Sequence, residues 1–180
     1  MISGPSGAGK GTLVTRVRER RSNLGLTVSA TTRAPRKGEV DGVNYFFLTR
    51  EEFDRRVANG EFVEWAEVHG NCYGTLVSEV QSKLASGASL ILEIDVQGAL
   101  QVKERFPEAV LIFIKPPSLE VLRERLVGRG TETPETIELR MANAADELAL
   151  ADHYDDVVVN DDLDRATDEL VRVLDMHERI

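Results

Sequence analysis

Residues 4–12 read Gly-Pro-Ser-Gly-Ala-Gly-Lys-Gly-Thr and stand between a short apolar run and an amphipathic helical stretch. Glycines allow the backbone to turn tightly, so that successive N–H groups point at one spot. The N-terminus of the following helix adds partial positive charge there, and Lys10 adds a full one. The segment therefore predicts a phosphate-binding loop at a strand-to-helix junction, and a nucleoside triphosphate is the expected ligand. The predicted phosphate contacts are Gly4, Ser6, Gly7, Ala8, Gly9, Lys10, Gly11 and Thr12.

The loop departs from the usual pattern at Gly11, which stands where Ser or Thr normally follows the lysine. Thr12 is then the nearest hydroxyl, and we expect it to bind a Mg²⁺ ion through water. Upstream, only three residues precede Gly4, whereas a mean strand has about five to six. We therefore expect a truncated first strand and a penalty in stability, because a central parallel strand buries apolar surface on both faces.

Short β-like runs alternate with helical stretches along most of the chain. Buried strands are predicted at residues 26–29, 90–95, 110–115 and 157–160, and helices at 12–21, 118–127, 134–150 and 163–174. Thr133 and Pro134 supply an N-cap and a first helical residue for the third of these helices. Such alternation predicts an α/β fold with a parallel, doubly wound sheet of about five strands, whose ligands bind beyond the carboxyl ends of the strands.

Residues 31–87 break this rhythm. Two segments, 43–48 and 62–68, are typical of antiparallel, half-exposed strands. Between them Thr49 and Glu52 form a capping box for a short helix that stops at Gly60. We expect one domain over residues 1–180, with a core of 1–30, 88–120 and 144–180, a small α+β lobe at 31–87 and a helical lid at 121–143.

Composition narrows the function classes. The net charge of −9 argues against a nucleic-acid binder, but it leaves room for an anionic substrate in a cleft of opposite local charge. No apolar run approaches the roughly 20 residues of a membrane helix. The single cysteine, Cys72, excludes an internal disulfide. We expect a cytoplasmic protein without nucleic-acid or membrane partners.

Two arginines three residues apart, Arg33 and Arg36, flank a proline and are better suited to a phosphate than to a core. Each guanidinium can donate two parallel charge-assisted hydrogen bonds. Ser29, Tyr45 and Tyr73 can add hydroxyl donors. On local sequence alone, a solvated arginine pair and tyrosines used only for packing remain alternatives.

Four segments in this order resemble the guanylate kinase family and span nearly the whole chain. They are the glycine-rich loop, residues 29–47, residues 61–65 with 70–75, and residues 93–98. The loop variant Gly-Lys-Gly-Thr is also similar to that of nucleotide monophosphate kinases. The resemblance implies a P-loop kinase fold that transfers the γ-phosphoryl group of ATP to GMP with Mg²⁺. The GMP contacts that it implies are Ser29, Arg33, Arg36, Tyr45, Glu64, Tyr73, Thr75, Glu93 and Asp95.

Glu64 fits this assignment chemically. Guanine presents an N1–H and an N2–H₂ donor side by side, and a carboxylate accepts both, whereas adenine does not offer that pair. We expect Glu64 to face away from Val63 and Trp65 on its strand. Thr75 is expected to donate to guanine O6. Without the motif, Glu64 would be interpreted as a solvated strand charge.

Glu93 and Asp95 lie two residues apart, near the carboxyl end of a predicted strand. The resemblance assigns them to guanine and to the metal without dividing the roles, and Asp95 is the predicted Mg²⁺ residue. Asp95 capping the next helix is the alternative. The resemblance also makes residues 125–140 part of the lid, in which Arg129 and Arg140 join Lys10 and Arg36 in stabilising transition-state charge.

Arg129 and Asn160 are further predicted ATP contacts, by resemblance. Salt bridges to nearby glutamates are the alternative for the lid arginines, and a helix-start role is the alternative for Asn160. Two other functions stay in competition: a guanylate-kinase-like protein-interaction module without catalysis, and a kinase for another small phosphorylated acceptor. We expect a monomer or a small homo-oligomer.

Overall fold

The computed structural model describes residues 1–68, 70–85, 87, 89–128, 130 and 133–178. These residues form two compact units, one built from Met1–Ser22 with Glu108–Ile180 and the other from Asn23–Pro107. The boundaries predicted for the lobe and the lid remain predictions. The predicted catalytic residue Arg129 lies outside the described residues.

The secondary structure is as follows. The strands are β1 (Ile2–Ser3), β2 (Leu24–Leu26), β3 (Ala30–Thr31), β4 (Phe46–Phe47), β5 (Phe62–Val68), β6 (Asn71–Leu76), β7 (Ser89–Ile91), β8 (Ile112–Lys115) and β9 (Asp156–Val159). The helices are α1 (Lys10–Arg20), α2 (Arg50–Ala58), α3 (Val77–Leu84), α4 (Val96–Arg105), α5 (Leu119–Gly128), α6 (Pro134–Ala149) and α7 (Leu163–Glu178). A short 3-10 helix covers Ala151–His153.

The first unit holds a parallel sheet in the order β1-β8-β9. Ile2 lies opposite Ile112, and Ile112 lies opposite Asp156. Phe113 and Ile114 are fully buried, as expected for a parallel strand that is covered on both faces. Strand β1 has only two residues, fewer than the four of each of its sheet neighbours β8 and β9.

Helices α1, α5 and α6 begin and end within two residues of their predicted bounds, whereas α7 runs to Glu178, four residues beyond its predicted end. In α6, Thr133 accepts a hydrogen bond from the N–H of Thr136, and Pro134 is the first helical residue, as predicted. Leu122 and Leu126 of α5 form a buried cluster with Ile137 of α6. None of the helices described carries an apolar stretch of the length that a bilayer crossing requires.

The second unit holds the parallel pair β2-β7 and a four-stranded sheet in the order β4-β3-β6-β5. The predicted capping box is present at α2, where the Thr49 hydroxyl accepts from the N–H of Glu52. Phe53 of this helix is fully buried and stacks on Phe62, with 4.5 Å between ring centroids. The predicted α/β class is confirmed by these helices and parallel strands.

The strand predicted at 43–48 is wrong in extent and direction. Only Phe46–Phe47 forms a strand, and it pairs parallel with β3. Side chains explain the shortening, because Asn44 Oδ1 accepts from the N–H of Val40 and Asp41 Oδ1 accepts from the N–H of Phe47, each at 2.8 Å. Such local bonds compete with a sheet ladder and hold the preceding residues in a turn.

Candidate active site

The glycine-rich loop follows β1 and has three glycines with positive φ: Gly4 (138°), Gly7 (93°) and Gly9 (91°). A Cβ atom on Gly4 would lie 2.2 Å from the carbonyl oxygen of Ile114. Other residue types would be strained at all three positions and would collide with β8 at the first. The loop conformation therefore depends on its glycines.

The loop ends at the N-terminus of α1, which is electrically positive. Gly9 precedes the helix in the left-handed conformation, makes no side-chain cap, and no acidic residue follows in the first turn. Lys10 curls back so that its Nζ donates to the carbonyl oxygens of Gly4 and Pro5, the latter at 3.1 Å. The helix dipole and the ammonium group thus act together on an anion held by the loop.

Asn160, directly after β9, holds the outer side of this loop. It is 6% exposed, and its Nδ2 donates to the carbonyl oxygen of Ala8 at 2.8 Å. Arg125 donates to the carbonyl oxygens of Asn160 and Ala8, at 2.8 and 3.4 Å. The alternative helix-start role belongs instead to Asp162, whose Oδ1 accepts from the N–H of Arg165. Asn160 thus lies at the predicted nucleotide site, where its amide shapes the loop.

The lid arginines divide between the two roles expected of them. Arg140 of α6 donates to the hydroxyl of Ser6, and Arg125 of α5 reaches Ala8, so both contact the loop. Arg123 instead forms an exposed ion pair with Glu138. The first unit therefore brings Lys10, Ser6, Arg140 and Asn160 together around one loop.

A cavity of about 340 Å³ adjoins the loop within the first unit. It is lined by Gly7, Gly9, Thr12, Arg125, Asn160, Asp161 and Leu163. Gly11 and Thr12 are exposed in the first turn of α1. Glycine backbone, one hydroxyl and one guanidinium are well suited to the charged part of a nucleotide, and Leu163 adds an apolar wall.

In the second unit, Arg33 is held by a carboxylate that the sequence had not identified as part of the site. Its Nη2 donates to both carboxylate oxygens of Glu39, at 2.9 and 3.0 Å. The N–H of Arg36 donates to the same carboxylate at 2.6 Å, while the Arg36 side chain is exposed. The hydrogen bond from Arg33 holds the pKa of Glu39 below its usual range. Glu39 is an oxyanion at the position where the sequence predicts a phosphate.

Aromatic rings surround the same guanidinium. Arg33 Cζ lies 5.3 Å from the ring centroid of Tyr45 and 5.8 Å from that of Phe47. Tyr45 and Tyr73 meet edge to face at 6.2 Å. Burial raises the pKa of Tyr45, and the charges of Tyr73 and Glu93 add to the rise. Four of the predicted GMP residues therefore form one cluster: Arg33, Tyr45, Tyr73 and Glu93. Ser29 lies next to this cluster, because its carbonyl oxygen accepts a hydrogen bond from the N–H of Phe46.

Glu64 is a carboxylic acid on β5 that is only 3% exposed. Burial raises the pKa of its carboxyl to about 7; Thr75 opposes this rise and the charge of Asp95 adds to it. Glu64 Oε1 and Thr75 Oγ1 are both buried, and neither makes a well-aligned hydrogen bond within the described residues, although Thr75 lies close enough to Glu64 to lower its pKa. A buried polar atom without a well-aligned hydrogen bond lowers the stability of the fold unless a ligand supplies the bond.

The alternation expected around Glu64 is wrong. Val63 is buried at 7% exposure, whereas Trp65 is 39% exposed, so the two do not share one environment. The register of β5 against β6 shifts between Phe62 and Glu64, and this irregularity re-aims the side chains.

Asp95 is the N-cap of α4, where its Oδ1 accepts from the N–H groups of Gln97 and Gly98 at 2.8 and 3.1 Å. The capping alternative is thus realised, and the metal role stays a prediction. Among the described residues, no group of three or more His, Cys, Asp or Glu side chains is placed to hold a metal ion. Mg²⁺ commonly takes one or two protein oxygens plus phosphate oxygens and water, and the exposed Thr12 hydroxyl fits that kind of site.

A family model described as guanylate kinase matches residues 1–177 of the chain. The chain belongs to the guanylate kinase family. A guanylate kinase of Halalkalibacterium halodurans is 53% identical over 174 residues, which cover 97% of this chain and 85% of the relative. A guanylate kinase of Gloeobacter violaceus is 56% identical with the same coverage of both chains. The crystal structure of guanylate kinase from Anaplasma phagocytophilum superposes with a TM-score of 0.80 at 39% identity, covering 97% of this chain and 82% of that one.

Three residues at the guanylate kinase site were missed from the sequence. Glu39 lies inside the segment that carries the two arginines, and a carboxylate three residues after Arg36 was the available signal. Arg125 is the first residue of the segment 125–140 assigned to the lid, but it was not among the predicted contacts. Gly98 ends the segment 93–98, and a Cβ atom there would lie 2.4 Å from Glu64 Oε2. No pattern in the sequence reveals that close approach.

Proposed function

We propose that this chain transfers the γ-phosphoryl group of ATP to GMP, giving ADP and GDP. One observation carries the proposal: the guanylate kinase family match extends over residues 1–177 in a chain that keeps an intact, lysine-bearing phosphate loop. The relatives named guanylate kinase support the same reaction, because they are about half identical over nearly the full chain.

On the donor side, the loop and the N-terminus of α1 bind the triphosphate. Backbone N–H groups and Lys10 supply positive charge, and Arg140 adds a guanidinium beside Ser6. Phosphoryl transfer needs positioning and cations more than covalent chemistry, because charge gathers on the equatorial oxygens. We assign Lys10, Arg36, Arg129 and Arg140 to that task. Asn160 acts by holding Ala8 in place.

On the acceptor side, the GMP phosphate replaces Glu39 as the partner of Arg33. Arg36, Ser29, Tyr45 and Tyr73 complete the phosphate contacts. The guanine edge donates to Glu64, and Thr75 donates to O6. The buried oxygens of Glu64 and Thr75 support this assignment, because guanine offers them the well-aligned hydrogen bonds that they lack among the described residues.

Mg²⁺ accompanies the triphosphate, with Thr12 and Asp95 as the side chains that would serve it, and it neutralises charge on the phosphates when bound. A cytoplasmic location and a monomeric or small homo-oligomeric state remain predictions from the sequence.

A coupled ADP assay with ATP, Mg²⁺ and each of GMP, AMP, CMP and UMP tests the proposal. We expect GMP to be the preferred acceptor by at least about a hundredfold in kcat/KM. Lys10→Ala should depress kcat by about a hundredfold or more, because it removes a cation used mainly in the transition state. The matched control is Lys37→Ala, an exposed lysine in the second unit.

The same assay, together with a measurement of ATP binding, separates the competing functions. A protein-interaction module would form no ADP with any monophosphate, and a kinase for a different phosphorylated acceptor would be inactive with GMP but would bind ATP. An equally fast Lys10→Ala variant would contradict the role given to the phosphate loop.

A further inference from the structure

Strand β5 contains an extra residue just before the carboxylate assigned to guanine. Phe62 lies opposite Leu76 and Glu64 lies opposite Thr75, so two steps on β5 match one step on β6. Val63 is the inserted residue. Such a bulge bends a strand and re-aims its side chains, and it persists when neighbouring groups stabilise it.

Arg105, the last residue of α4, binds the bulge. Its Nη1 donates to the carbonyl oxygen of Val63 at 2.6 Å and lies 3.5 Å from that of Phe62. A bulge disturbs the ladder locally, so its carbonyl groups need partners from elsewhere. The guanidinium supplies a charge-assisted one.

Two other residues of α4 contact the same strand on the same helix face. Gln101 Nε2 donates to the carbonyl oxygen of Trp65 at 3.1 Å. Gly98 faces Glu64 so closely that a Cβ atom would lie 2.4 Å from Oε2 and 3.1 Å from Cδ. Positions 98, 101 and 105 are three and four apart, the spacing of one helix stripe.

The helix that carries this stripe is fixed at both ends. Asp95 caps its N-terminus, and Arg105 ties its C-terminus to β5. A Cβ atom added at position 98 would meet the far end of the Glu64 side chain rather than backbone, so we expect Glu64 to move in response.

We propose that α4 is a template that sets the base specificity of the site, with Gly98 and Arg105 as positioning residues for Glu64. Gly98 admits the carboxylate to its buried place, and Arg105 holds the bulge that points it there. This inference rests on the proposed function, because it specifies how the GMP side of that reaction distinguishes guanine.

Inosine monophosphate is the probe that isolates the carboxylate contact, since hypoxanthine keeps N1–H but lacks the 2-amino group. For Gly98→Ala we expect the ratio of kcat/KM for GMP to that for IMP to fall at least about fivefold. KM for GMP should rise about tenfold or more, while KM for ATP stays within about twofold. Gln97→Ala, an exposed neighbour on the same helix, is the matched control and should leave the ratio unchanged.

Arg105→Met should lower the same ratio about threefold or more, and Arg105→Lys should restore part of it, because an ammonium group can still donate to a carbonyl oxygen. This second position keeps the proposal testable if Gly98→Ala fails to fold. Thermal unfolding of every variant shows whether assays were made on folded protein.

A double-mutant cycle with Glu64→Gln decides whether the effect passes through Glu64. If it does, Gly98→Ala will change the GMP:IMP ratio by less than about twofold in the Glu64→Gln background. An equal change in both backgrounds, or an unchanged ratio in folded Gly98→Ala and Arg105→Met, would overturn the inference. A wild-type chain that does not phosphorylate GMP at all would overturn the proposed function instead.

Discussion

Replacing Glu64 by Gln should stabilise the protein at alkaline pH while damaging its recognition of guanine. The folded-state pKa of Glu64 is about 7, against an ordinary value of 4.5. The folded protein therefore binds this proton more tightly than the unfolded chain. Stability contributed by Glu64 is greatest below about pH 4.5 and falls as pH rises to about 7, after which it is constant.

The size of the effect follows from that difference in pKa. Ionised Glu64 costs about 3 kcal/mol of folding free energy at pH 8 but under about 1 kcal/mol at pH 5. Gln has the same shape and does not ionise. We expect Glu64→Gln to raise the free energy of unfolding by about 2 to 3 kcal/mol more at pH 8 than at pH 5.

Urea unfolding of the wild type and the variant at both pH values measures this difference. Glu67→Gln is the control, since Glu67 lies on the same strand but its side chain is 52% exposed. It should shift stability by less than about 0.5 kcal/mol at either pH. If Glu64→Gln changed the free energy of unfolding equally at pH 5 and pH 8, burial would not raise the pKa of Glu64 in the folded protein.

Three further outcomes are expected. The affinity for GMP, measured by calorimetry, should rise about tenfold or more between pH 6 and pH 8, because guanine binds the ionised form of Glu64. In Glu64→Gln the affinity should rise only roughly twofold over the same range, because only the ionisation of the GMP phosphate then contributes. Arg33→Lys should raise KM for GMP about 10- to 100-fold with little change in kcat, since a bidentate contact becomes single; an unchanged KM would remove Arg33 from the phosphate site. Asn160→Asp should raise KM for ATP about tenfold with KM for GMP constant, because a carboxylate cannot donate to the carbonyl of Ala8; equal effects on both substrates would indicate general unfolding.

The parts of the site that the sequence predicted are those whose chemistry is local. A glycine-rich loop followed by lysine and a helix needs no distant partner, and its conformation is as expected at Gly4, Gly7 and Gly9. Helix signals were equally local, as at Thr49 and the residues around it. These features depend on propensity and capping, which a sequence displays directly.

The parts that could not be predicted depend on register and on contacts between distant residues. Strict alternation on β5 failed because one inserted residue, Val63, shifts the pairing, and nothing in the sequence marks that bulge. Asn160 was predicted as an ATP contact by resemblance, and no sequence pattern showed that its amide also donates to the carbonyl oxygen of Ala8, 152 residues away. Glu39 was missed because a carboxylate in a loop is normally solvated.

The distribution of charge explains how a chain of net charge −9 can hold a triphosphate. Acidic side chains of α7 pair with the outer face of α1, as Asp164 with Arg16 and Asp168 with Arg20. Arg20 lies about 15 Å along the helix from Lys10. That exceeds the screening length of about 8 Å at physiological salt, so acids at that end scarcely weaken the positive N-terminus. The acidic residue that does line the nucleotide cavity, Asp161, is bonded to Arg165. Such exposed pairs add little stability, and their effect is to keep unpaired negative charge away from the phosphate loop.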